Sequence, residues 1–115
     1  LYLPFNEIHD LGLLFLHHEI IINGHKSIYL GRSLPIENLI DLNNHFKKIT
    51  YITYLTVEPE ENEIENYIND FNNTILKDND NELLIFGRKA MTINSEKLPQ
   101  KIQSIANMQD FLGTL

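Results

Sequence analysis

Residues 50–71, TYITYLTVEPEENEIENYINDF, decide the fold. The first eight, through Val57, are dense in β-branched and aromatic side chains, the composition of a strand. Pro59 suits a first helical turn, and Glu60, Glu61 and Glu63 beside it complement the positive end of a helix dipole. Ile64, Tyr67, Ile68, Phe71 and Ile75 then recur at helical spacing and form one apolar stripe. The helix is expected to stop near Leu76, before the turn-rich KDNDN at 77–81. Residues 82–86 read as a short buried strand, so strand, helix and strand follow one another as in a parallel crossover.

The pattern extends in both directions from there. Residues 35–48 read as a helix, with Ser33 as cap, Pro35 in the first turn, and Ile36, Leu39, Ile40, Phe46 and Ile49 on one face. Lys47 and Lys48 sit where they favour the negative end of its dipole. Before it, LLFLHHEIII at 13–22 and residues 25–30 flank Asn23-Gly24, the signature of a type I′ turn between two strands. That hairpin sets Ile22 opposite His25, Ile20 opposite Ser27 and His18 opposite Tyr29. Residues 1–10, broken by Pro4, read as a short helix or loop. After Gly87-Arg88, residues 90–93 read as a strand paired back on 82–86. A last helix is expected from Ser95 to Gly113, with Pro99 in its first turn and Leu98, Ile102, Ile105 and Ala106 inside. The order (α)ββαβαββα predicts one domain, residues 1–115, of the α+β or α/β class: a mixed sheet of about five strands with an N-terminal Asn-Gly hairpin and three helices.

Composition narrows the function. The 115 residues contain no cysteine, which excludes a disulfide scaffold, a thiol nucleophile and a Cys-ligated metal, and fits a reducing, cytoplasmic setting. No apolar run approaches the roughly 20 residues of a membrane helix. The first ten residues carry no basic region or small-residue cleavage site, so no signal peptide is expected. Plentiful Asn, Ile and Lys hint at an AT-rich, bacterial genome. Charge is concentrated: residues 58–82 hold nine acids and one base, a net of −8, whereas the whole chain is −7. Such a segment repels phosphate backbones and argues against nucleic acid as a partner.

Two sets of residues are candidates for function. The larger is the acidic segment, Glu58, Glu60, Glu61, Glu63, Glu65, Asp78 and Asp80. Its one-signed charge repels itself unless a basic partner relieves it. The smaller is Arg32 and Arg88, each following a strand end as Gly-Arg, with His17, His18 and His25 on the hairpin; this set suits a small enzyme or an anionic-ligand site. In a strand, His17 and His18 point to opposite faces and cannot share an ion, so no metal site is expected. No phosphate-binding loop, dinucleotide-binding or serine-hydrolase motif occurs, and no cofactor or catalytic residue is assigned. The preferred expectation is a non-enzymatic, cytosolic protein-binding module. It is similar in size, charge and lack of cysteine to immunity proteins and antitoxins, inhibitors that cover a basic site on a toxin such as a nuclease. A hairpin apolar on both faces also offers an edge for pairing with a second copy.

Overall fold

Leu83, Leu84, Ile85 and Phe86 are all buried, although alternate side chains of a strand point to opposite faces. A strand buried on both faces belongs to a parallel sheet sandwiched between helices. The computed structural model, which describes residues 1–115 with the side chain of Ser95 apart, has that architecture. In chain order come β1 (Tyr2–Pro4), α1 (Leu11–Ile22), β2 (Gly31–Leu34), a 3-10 helix (Ile36–Asn44), β3 (Thr50–Tyr54), α2 (Glu61–Thr74) and β4 (Glu82–Phe86). Two 3-10 turns (Arg88–Thr92 and Ser95–Lys97), β5 (Ile102–Ser104) and α3 (Met108–Leu112) complete it. The strands lie in the order β2-β1-β3-β4-β5 and every pairing is parallel. This is the 2-1-3-4-5 order of a doubly wound sheet.

Two cores follow from the alternation. Tyr2, Tyr51, Leu83 and Ile85 face the 3-10 helix and α2, packing on Ile36, Leu39, Ile64, Ile68 and Phe71. Leu3, Ile52, Leu84 and Phe86 face the other way, onto Leu13, Leu16 and Ile20 of α1 and the apolar side of α3. The strands touch over long sequence distances: Tyr2 lies beside Thr53, whose hydroxyl donates to the Tyr2 carbonyl at 3.0 Å. Among the described residues no helix is long and apolar enough to cross a membrane.

The α/β class and the five strands agree with the sequence reading, but the two hairpins are absent. Residues 11–22 form α1, because Leu13, Leu16 and Ile20 recur at helical spacing and fill one core. Asn23-Gly24 closes that helix. Only Gly24 has positive φ, +87°, while Asn23 stays at −88°; a type I′ turn needs both positive. The Gly24 amide donates to Ile21 O and the His25 amide to Ile20 O, the paired bonds of a Schellman cap. Residues 25–30 therefore have no strand opposite them. Residues 2–4, expected as loop or helix, are instead a central strand, too short for a periodic signal. Residues 88–92 form a 3-10 turn rather than a returning strand. The expected C-terminal helix gives way to β5, with Ile102 buried against β4, and then to the five-residue α3. The helix at 35–48 forms as the 3-10 run and stops at Asn44, leaving Lys47 and Lys48 exposed beyond it.

Gly87 shows how tightly β4 ends. Its φ is +101°, and a Cβ there would sit 2.5 Å from Leu55 O and 2.8 Å from Leu55 N. The strain and the clash are each worth about 1–3 kcal/mol. Gly87→Ala is expected to lower the unfolding free energy by about 3 kcal/mol, read as a shift of the urea midpoint at unchanged slope.

Candidate functional site

In an open parallel sheet, ligands gather outside the carboxyl ends of the strands where the strand order reverses. Here the reversal lies between β1 and β3. The chain leaves β1 toward α1 on one face and leaves β3 toward α2 on the other. Loops 5–10 and 55–60 thus diverge from one point at the carboxyl end of the sheet.

One side chain ties these loops together. Glu7 is fully buried. Its Oε1 accepts the amides of Val57 at 2.7 Å and Thr56 at 3.0 Å, while Oε2 accepts the Ile8 amide at 3.0 Å and meets His9 Nδ1 at 2.9 Å. The Glu7 carbonyl accepts the Ser33 amide at 3.0 Å and Ser33 Oγ accepts the Asn6 amide, so the loop after β1 is also fastened to β2. Burial alone pushes the Glu7 carboxyl up. The Val57 amide, the His9 ring and the Thr56 and His9 amides more than offset it and hold it at about 2. His9 is otherwise exposed. With Nδ1 turned to the carboxylate, its Nε2 faces outward, where an imidazole can accept a hydrogen bond, take a proton or coordinate a metal.

Around this latch the surface is apolar. Phe5, Ile8 and Val57 are half or more exposed on the two loops, Leu11 at the start of α1 is 82% exposed, and Met91 after β4 is 73% exposed. Beside Phe5 lies a hollow of about 290 Å³, lined by Pro35, Ile36, Glu37, Tyr67 and Asp70 as well. The first turn of α1 comes close to the end of β3, where a Cβ on Gly12 would sit 2.6 Å from the Tyr54 ring. Tyr29 donates to Asp10 Oδ2 at 2.7 Å, and burial with the Asp10 contact pushes its phenol up to about 12.

The residues singled out from sequence are not brought together. Arg32 lies on the edge strand β2, 3.8 Å from Asp10, and Arg88 follows β4. They are not on neighbouring strands: β1 and β3 intervene, three strand spacings or about 14 Å. His17 and His18 are helical. His17 Nδ1 pairs with Ser27 Oγ at 2.7 Å, whereas His18 and His25 are exposed. Among the described residues no group of three or more His, Asp or Glu is placed to hold a metal ion. The acidic segment is split in two. Glu58, Glu60, Glu61, Glu63 and Glu65 gather around the start of α2, and Asp78 and Asp80 follow its end, about 21 Å away along a 14-residue helix. The ion pairs among the described residues are His9–Glu7 and Arg32–Asp10, so these acids have no Lys or Arg partner. Lys89 instead donates to the carbonyls of Val57 and Pro59, bracing the loop from below.

Glu7, His9 and the apolar rim escaped the sequence reading because residues 1–10 lacked an assigned strand. An acid two residues before a histidine, just beyond a buried strand, is the signal that marks them. In comparisons with known proteins, no family model matches the chain and no curated protein matches it significantly.

The depressed Glu7 carboxyl stabilises the fold above its unfolded value of 4.5, and that contribution is lost as pH falls toward about 2. Its size is about 3 kcal/mol. Glu7→Gln turns an NH2 toward backbone amides, so it should cost about 2–3 kcal/mol at pH 7. The gap from the parent chain should close between pH 4.5 and about 2, as followed by urea unfolding across that range.

Proposed function

We propose that this chain is a ligand-binding α/β domain whose ligand lies across the carboxyl ends of β1 and β3, between loops 5–10 and 55–60. The observation that carries this reading is the reversal of strand order between β1 and β3. Three features support it. Glu7 holds both loops in place before any ligand arrives, which lowers the ordering cost of binding. Phe5, Ile8, Leu11 and Val57 offer apolar surface, and a ligand with an apolar face covers it. His9, oriented by Glu7, supplies a polar contact through Nε2. The ligand class is a small organic molecule with an apolar body and one group that bonds an imidazole. The role is binding, with no catalytic step assigned, and a cytoplasmic setting suits a cysteine-free chain.

Protein purified from its native host without denaturation should carry such a molecule at one per chain, seen by native mass spectrometry. Ile8→Glu and His9→Ala should each reduce occupancy at least tenfold while leaving the circular dichroism unchanged. A ligand that stays bound in both variants would show that the site lies elsewhere.

A second reading rests on a different observation, the exposed Glu60, Glu61, Glu63 and Glu65 without basic partners. We infer from it an inhibitor-like module, in the manner of an immunity protein or antitoxin, that docks the start of α2 on a basic protein site such as that of a nuclease toxin. One-signed charge of this kind speeds association and makes it salt-dependent. Converting Glu60, Glu61 and Glu63 together to Lys should weaken capture of that partner by a factor of ten or more and flatten its salt dependence. Unaltered affinity sinks the idea.

A further inference from the structure

Helix α1 is apolar on every side, LGLLFLHHEIII, with Glu19 as its one acid and no Lys or Arg. A helix of that kind is normally buried all round. Here only Leu13, Leu16 and Ile20 reach the core. The outer face carries Leu11, Leu14, Phe15, His18, Ile21 and Ile22, with the five apolar ones between 41% and 82% exposed. Their spacing is regular. Leu11 and His18, Leu14 and Ile21, and Phe15 and Ile22 are each seven residues apart, so the face repeats every 3.5 residues, the period of a helix that packs along another helix.

We infer that α1 is a self-association surface, pairing antiparallel with α1 of a second copy about a twofold axis near Phe15 and His18. In such a pair Leu11 of one copy meets Ile21 and Ile22 of the other, so one patch is its own complement, as a twofold interface requires. Charge permits it. The acidic α2 lies across the sheet from α1, and α1 itself carries a single acid, Glu19, and no base. A chain of net charge −7 can therefore meet itself here without bringing its acids together, whereas a basic or acidic partner finds no charge to engage. The contact is modest. A 12-residue helix is about 18 Å long, less than the reach of a standard interface of about 800 Å² per partner. The dimer is accordingly reversible and in the micromolar range. The pairing replaces a strand edge with a helix seam; Leu14, Phe15, Ile21 and Ile22 belong to the seam alone, and Leu11 is shared with the proposed ligand site.

Sedimentation equilibrium from about 10 µM to about 1 mM tests this. The mass should rise with concentration from 13.4 kDa toward twice that value, and added salt should not reverse the rise. Phe15→Glu and Ile22→Glu should each hold the chain at the monomer mass with unchanged circular dichroism, since both side chains point away from the core; Glu61→Lys on the far face should leave the dimer intact. In the cysteine-free parent, His18→Cys should oxidise to a cross-linked dimer and Leu11→Cys should not. A monomer throughout the range, or a dimer that survives both glutamate substitutions, overturns the proposal. Self-cross-linking of Leu11→Cys overturns the antiparallel arrangement.

Discussion

The Glu7 carboxylate is the constraint on which the carboxyl edge of the sheet depends. Loops 5–10 and 55–60 leave the sheet in opposite directions, and a parallel sheet provides no hydrogen bonds between them. A buried carboxylate with four lone-pair sites collects amides from both loops and an imidazole from one of them. Charge-assisted bonds of this kind are roughly twice as strong as neutral ones, and stronger still away from water. The same bonds that tie the loops together hold His9 in place, so local stability and the placement of the imidazole rest on one side chain.

The middle of the fold was legible in the sequence. Residues 61–74 are long and periodic, 50–54 and 82–86 are dense in β-branched, aromatic and other apolar side chains, and the proline and glutamates before α2 mark its start. Legibility failed where an element was short or its punctuation ambiguous. Three residues of β1 cannot display a period. Asn-Gly serves both a hairpin and a helix end, and what separates them is the spacing of Leu13, Leu16 and Ile20, which outweighs the β-branched run Ile20–Ile22. The site was hidden for a related reason: an unassigned β1 leaves Glu7 and His9 in an anonymous loop. The reversal of strand order between β1 and β3 is a property of tertiary pairing and has no local signature.

Nearness in sequence also misled about charge. Nine acids within 25 residues look like one surface. A helix running antiparallel to its strands carries the two ends of that segment to opposite edges of the sheet. Glu60 to Glu65 end beside the carboxyl ends of the strands, and Asp78 and Asp80 end at the amino edge. The electrostatic field is thus two weaker patches, one of which overlooks the site.

The long-range contact between Tyr2 and Thr53 has a kinetic side. The interior strand β1 is the first of the five to leave the ribosome, and neither of its neighbours exists when it does. β2 follows some 30 residues later and β3 some 50. Non-local parallel pairing forms slowly because loop closure comes before any contact rewards it. During that interval Tyr2, Leu3 and the apolar α1 wait without a sheet to cover them, and α1 is the one element that can order early from local bonds alone. Folding is therefore expected to begin at the Schellman-capped helix and to finish at the sheet's centre.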